Sequence, residues 1–343
     1  MEFSSPRNTE CSYPVNDNEY NERLSNSGTG CVCTQATLNS YPATNGVVLK
    51  DKDNNIRQTN AASSRQRNAP FGFPKILRDV GPTGQDYCEL FQSNFITAYE
   101  NKLKIPLFAT FTIQRNSGTV LEINNCLRYD VRLQPEKSPK CYSYVRNMNP
   151  QLPVDIILGL LYNPTLADSL DNEFNALTSA NIIPQYAAFK QNVWLPLVAR
   201  THQWANHGNR STEMNVVIGP VYDWNSDTLR DTYRDIAASQ AWVGDTPVPS
   251  HYFIVVSRCM EDISLTMCSL QSMEVVAFVL PHTNDVRICK TFDDYLSTHQ
   301  TSLQDVEIIT GLQLYPDFNN DEDLREEFLQ FKTRMPTLTS WMM

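Results

Sequence analysis

Residues Ile105 to Ile113 read IPLFATFTI. Leu107, Ala109, Phe111 and Ile113 alternate with Phe108, Thr110 and Thr112, the period-two pattern of a β-strand. Three later runs have the same β-branched and aromatic character: Asn215–Tyr222 (NVVIGPVY), His251–Val256 (HYFIVV) and Val275–Leu280 (VVAFVL). Between the first and second strands lies a helical pattern. Phe189, Val193 and Leu197 recur at i, i+4, i+8, with Trp194 and Val198 one step round. Pro184 stands ahead of it, and Pro196 inside it is expected to kink the helix or end it early. A second helix is expected from Ser302, where Ser302 and Asp305 make a capping box before Val306, Ile309 and Leu312. Strands and helices mix without a βαβ alternation, so the class is α+β.

The 343 residues suffice for a sizeable core, and the formal charge is −10. Residues 1–70 hold 7 basic and 7 acidic side chains of the totals of 28 and 38, leaving 21 and 31 for residues 71–343. The excess of negative charge lies in that later part. Phosphate backbones are bound by clustered Lys and Arg, so the balance argues against nucleic acid as a partner. No stretch approaches the roughly 20 apolar residues of a membrane span. The first residues lack the basic and apolar regions of a signal peptide. Residues 1–70 are rich in Asn and Ser, and Asn54 to Arg67 has almost nothing to bury. They are expected to form an extended, disulfide-anchored linker, with residues 71–343 as the domain.

Nine cysteines are spread along the chain without a Cys-x-x-Cys pair, and none has His at zinc-finger spacing, so no zinc site is expected. They read as disulfides of an oxidising compartment. Asn209-Arg210-Ser211 is a glycosylation sequon that agrees with this.

Nine segments in order carry a resemblance. They are Pro70–Pro74 (PFGFP), Tyr87-Cys88, Pro106–Thr112 (PLFATFT), Cys126–Arg132 (CLRYDVR), and Asn181–Tyr186 (NIIPQY) with Trp194. Then come Gly219–Asp223 (GPVYD), Pro249–Phe253 (PSHYF), Leu280–His282 (LPH), and Asp305–Glu307 through Thr310–Leu312. From about Cys11 to its end the chain resembles the C-terminal half of ecto-nucleotide pyrophosphatase/phosphodiesterases. That half is a linker followed by a nuclease-like domain related to DNA/RNA non-specific endonucleases. The resemblance implies the ββα-metal type of α+β fold, with a mixed or antiparallel sheet and flanking helices. It implies an extracellular or cell-surface location, and as partner a phosphodiesterase domain absent from this sequence, or another extracellular protein. The chain then reads as a fragment of something longer, since the family's catalytic half, with its Thr nucleophile and zinc ions, has no counterpart here.

Active members of the wider superfamily carry an Asp-Arg-Gly-His motif, whose His is the general base, and an Asn that holds a single Mg²⁺. Cleavage needs both groups. Here the corresponding stretch is Leu161–Ala167 (LYNPTLA), and no His precedes His202. Lys190 falls at the metal-Asn position, with Asn192 two residues off. No catalytic residue is therefore assigned, and the other reading is a metal-dependent endonuclease. His202, His207, His251, His282 and His299 read as loop or structural residues, His251 as structural.

Asp223, Asn225, Asp227 and Asp231 place oxygen side chains at loop positions 1, 3, 5 and 9, with the Leu229 carbonyl at 7, the ligand spacing of a calcium loop. Thr228 replaces the usual Gly at position 6 and Arg234 the Glu at position 12, so a solvated acidic turn stays open as the alternative. The resemblance implies a structural Ca²⁺ there. It also implies disulfides Cys31–Cys141, Cys33–Cys126, Cys11–Cys88 and Cys259–Cys268, leaving Cys289 over.

Overall fold

The computed structural model describes residues 61–77, 87–114, 130, 133, 135–139, 144, 153, 155–206, 213–261, 263–286, 291–338 and 341. Its centre is a seven-stranded sheet. In chain order the strands are β1 (Tyr87–Phe91), β2 (Ile96–Glu100), β3 (Ile105–Ile113), β6 (Met214–Val221), β7 (His251–Cys259), β8 (Met273–Pro281) and the short β9 (Gln300–Thr301). Spatially they run β9-β8-β7-β6-β3-β2-β1, and every neighbouring pair is antiparallel. A separate antiparallel pair, β4 (Ile156–Leu160) and β5 (Ile182–Tyr186), stands outside it. The α+β expectation holds.

The four strands read from the sequence are all present, two of them longer than expected. Their near-continuous apolar character follows from burial on both faces. Along β7, Tyr252, Ile254 and Val256 enter one core with Trp194, Trp204 and Phe278. Phe253 and Val255 enter the other with Phe108, Leu303, Val306 and Phe328. All eight residues of β6 are buried.

A helical stretch from Ala187 to Asn206 covers the first core: a short turn Ala187–Phe189, a π-helical turn Lys190–Trp194, and α3 (Leu195–Asn206). Phe189, Val193, Trp194 and Leu197 are buried, as their spacing predicts. Pro196 neither ends nor breaks the helix. In a regular α-helix its ring would clash with the carbonyl four residues back. Here the proline follows a widened turn, with Leu195 N–H donating to Lys190 O five residues away.

The other core lies under α6 (Leu303–Thr310) and two further helices, α7 (Pro316–Asn320) and α8 (Arg325–Lys332). The Ser302–Asp305 capping box is formed, and Gly311 (φ 67°) closes α6 in the left-handed conformation. Smaller helices are α2 (Leu170–Ala176), α4 (Tyr233–Ala238) and α5 (Phe292–Thr298).

Residues 61–68 differ from the extended segment expected there: Ala61–Asn68 is a helix, α1. Its polar composition hides the reason. Asn68 is fully buried and donates to Ser93 O (3.3 Å), while its Oδ1 accepts from Thr112 N (3.4 Å). Its carbonyl accepts from Thr110 Oγ1 (2.6 Å) and Asn215 Nδ2 (3.0 Å). Hydrogen bonding, not apolar burial, seats this helix on the sheet. Cys259 and Cys268 are joined by a disulfide, as the resemblance implies. Cys88 is also disulfide-bonded. Cys11, Cys31, Cys33, Cys126, Cys141, Cys289 and the sequon at Asn209 lie outside the described residues. Among the described residues no helix is long and apolar enough to cross a membrane.

Candidate functional site: the motif region and the acidic loop

The stretch aligned with the nuclease motif follows β4. Leu161 and Tyr162 are buried. Tyr162 stacks on Phe95 with ring centroids 4.4 Å apart and meets Phe111 edge-on at 4.9 Å. Asn163 caps the turn Pro164–Leu166, its Oδ1 accepting from Thr165 N (3.0 Å) and Thr165 Oγ1 (2.8 Å). Asn181 fastens the segment from behind. It accepts from Tyr162 N and donates to Tyr162 O and Ala176 O, each at 2.8 Å. The segment thus consists of packed aromatic rings and a capped turn, and it holds no histidine.

Lys190 opens the π-helical turn, and its Nζ donates to Leu158 O of β4 at 3.1 Å. Burial pushes its ammonium below the ordinary lysine range. Asn192, two residues on, is exposed.

The described histidines are all engaged. His282 is buried, accepts from Tyr186 N at Nε2 (2.7 Å) and donates from Nδ1 to Pro249 O (2.8 Å). Both nitrogens are used by the neutral ring, and burial holds its pKa down to about 3. Tyr186, Phe189 and Tyr252 pack around it. His251, expected to be structural, shares a 3.0 Å hydrogen bond with Ser250 Oγ, and burial lowers its pKa. His299 Nδ1 contacts Tyr295 O at 2.8 Å. His202 bonds Asn206 at 3.1 Å, and His207 lies outside the described residues. The role of His282 was not legible in the sequence, because nothing local marks a histidine for two backbone partners.

The acidic loop runs from the end of β6 to α4. Its two ends are tied together: Asp231 N donates to Tyr222 O (2.9 Å) and Trp224 N to Asp231 Oδ2 (2.8 Å). Ser250 Oγ accepts from Asp223 N at 2.9 Å. Inside the loop Asp223 accepts from Asp227 N (3.0 Å) and Thr228 N (3.2 Å). Asp227 accepts from Leu229 N (2.8 Å) and Asn225 Nδ2 (3.1 Å). The turn anticipated as difficult without Gly is made with Ser226 (φ 58°) and Thr228 (φ 63°) in the left-handed region. For a β-branched residue that is strained, at about 1–3 kcal/mol.

Asp223 and Asp231 are 6% and 4% exposed, and Asp231 Oδ1 is buried without a hydrogen-bond partner. Burial raises the Asp231 pKa; Trp224 N–H opposes this, while Asp235, Asp223 and Asp227 add to it. Among the described residues no group of three or more His, Cys, Asp or Glu side chains stands arranged to hold a metal ion. Asp227 is engaged within the loop and would exchange those hydrogen bonds on ligating. Asn225 Oδ1 and the Leu229 carbonyl add two further oxygens of the kind a hard cation takes.

Residues 161–321 match the family described as DNA/RNA non-specific endonuclease. The chain is 30% identical over 301 residues to venom phosphodiesterase of Macrovipera lebetinus, covering 82% of this chain and 32% of that protein. It is 28% identical over 296 residues to ectonucleotide pyrophosphatase/phosphodiesterase family member 3 of Mus musculus, covering 82% and 32%. For the same member of Bos taurus the identity is 26% over 320 residues, covering 90% and 34%. The chain thus spans about a third of the length of the curated relatives it matches. It carries a nuclease-like domain, and the resemblance read from its segments holds.

Proposed function

We propose that the chain is a catalytically silent, extracellular nuclease-like unit that supports and stiffens a phosphodiesterase domain, or binds an extracellular protein partner in its absence. The observation that carries this is the state of the motif region. Buried Leu161 and Tyr162, the capped turn at Pro164, and the Lys190 ammonium on Leu158 O occupy the positions that the resemblance assigns to base and metal ligand. The names of the relatives, venom phosphodiesterase and ectonucleotide pyrophosphatase/phosphodiesterase, favour the extracellular assignment, as does the Cys259–Cys268 disulfide.

In this reading Asp223, Asn225, Asp227, Asp231 and the Leu229 carbonyl hold a structural Ca²⁺. Bound there, the ion supplies positive charge to three carboxylates that otherwise repel one another. Asp223 and Asp231 anchor the two limbs of the loop, and Asp231 Oδ1 gains the partner it lacks. The loop brings no general base with it, so the role is structural.

The rival reading is a metal-dependent endonuclease. Purified protein is expected to leave supercoiled plasmid and RNA intact with Mg²⁺, Mn²⁺ or Ca²⁺. Cleavage that co-purifies with the protein and disappears in Asn192→Ala would replace the silent reading by the rival one.

A further inference from the structure

The limb of the acidic loop between Asp227 and Asp231 is exposed at Thr228 and Leu229, yet Arg230 between two proposed ligands is half-buried. Its side chain crosses the loop boundary and lies over Gly311, the residue that closes α6. A β-carbon placed on Gly311 would stand 3.1 Å from Arg230 Cδ and 3.6 Å from its Nη1. Arg230 also walls a small cavity of about 20 Å³, room for one water, together with Tyr222, Ile236, Ile309, Thr310 and Leu312. The guanidinium therefore sits at a helix C-terminus, where the macrodipole favours a cation. A side chain at position 311 would press on it and make it give by a few tenths of an ångström.

We propose that Arg230 is a positioning residue that couples the cation loop to the C-terminal end of α6 through its seat on Gly311. The proposal rests on the calcium reading above. The physical argument is one of chain order. Arg230 is flanked by the Leu229 carbonyl and the Asp231 carboxylate, so fixing its side chain fixes the peptide units on both sides. Without that seat, the limb carrying two ligands must be ordered by the ion itself. Ordering even a short segment at the moment of binding weakens affinity, here by roughly three- to tenfold. Coupling is reciprocal, so calcium in the loop should steady the backbone at Gly311 and Leu312.

Calcium affinity is to be measured by isothermal titration for the wild type, Arg230→Ala, Arg230→Lys and Gly311→Asn. Asn tolerates the left-handed backbone while its side chain still meets Arg230 Cδ, which separates lost seating from backbone strain. Arg230→Ala and Gly311→Asn should each bind roughly three- to tenfold more weakly, with Arg230→Lys in between. Hydrogen exchange at Gly311 and Leu312 should slow on adding calcium to the wild type and not to Arg230→Ala. No binding by the wild type would overturn the metal site and this inference together. Wild-type binding with unchanged affinity in Arg230→Ala and Gly311→Asn would overturn the coupling alone.

Discussion

Two stretches of the chain, Leu161–Trp194 and Asp223–Asp231, hold their polar groups in different ways. In the first, most polar groups are met inside the protein: Tyr162 stacks on Phe95, Asn163 and Asn181 have backbone partners and Lys190 bonds a strand carbonyl, while Asn175 Oδ1 and Trp194 Nε1 are buried without one. In the second, carboxylates are gathered, two of them buried, and one oxygen is left without a partner. A buried polar group without a hydrogen bond costs about 1–3 kcal/mol. Under the calcium reading proposed above, the oxygen left over in the second would gain its partner from solution.

The largest expected effect tests whether the first stretch behaves as core. Trp194 is buried in its π-helical turn against Phe189 and Tyr252. Trp194→Ala should lower unfolding stability by about 3–5 kcal/mol in urea titrations, the range for a large buried aromatic. A loss under 1 kcal/mol would mean that this turn is a loosely held surface and that the comparison fails on its first side.

The second stretch should respond to cation instead. At a hundredfold excess of Ca²⁺ over Kd, binding to the native state alone stabilises by about 2.7 kcal/mol, a few degrees in Tm for a domain of this size. Mg²⁺ should do much less, because it demands octahedral geometry and holds its water. Asp227→Ala should abolish the calcium response and leave the fold intact. Melting curves that coincide in EGTA and in calcium would leave a solvated acidic turn.

The smallest effect belongs to His282. Its folded pKa, about 3, lies below the ordinary value near 6.5. The neutral ring therefore stabilises the fold fully above pH 6.5, and that contribution fades as pH falls toward 3. Between pH 7 and pH 5 the loss is about 2 kcal/mol at 1.4 kcal/mol per pH unit below 6.5. Urea midpoints at the two pH values should differ in the wild type and much less in His282→Gln. An equal difference in both proteins would assign the acid sensitivity elsewhere.

What the sequence disclosed follows from which interactions are local. Strand β3 alternates over nine residues and stands where its pattern puts it, and Ser302 and Asp305 cap α6 because a capping box spans a single turn. Helix α1 was hidden because its anchors, Thr110, Thr112 and Asn215, are distant in sequence from Asn68. Strand β2, buried at all five positions, shows no alternation to read. In the acidic loop the residue types and spacing were visible, but the burial of Asp231 was not, and the seat of Arg230 on Gly311 depends on a residue far down the chain. Pro196 misled because a widened turn is a response to packing that no propensity records.

The sheet also has a seam. Strands β1 to β3 pair in sequence order, and so do β6 to β8, whereas β3 and β6 meet across a long excursion: Asn215 bonds Phe111 O, 104 residues away. Local pairings close quickly, while a pairing that must first span so long a loop bears its closure entropy. The two halves are thus expected to form as separate meanders and join late. In that order Asn68, bonded to Thr110, Thr112 and Asn215, acts as the latch. Substitutions at the seam, such as Val217→Ala, should then speed unfolding and leave the refolding rate nearly unchanged; slowed refolding would place the seam in the nucleus.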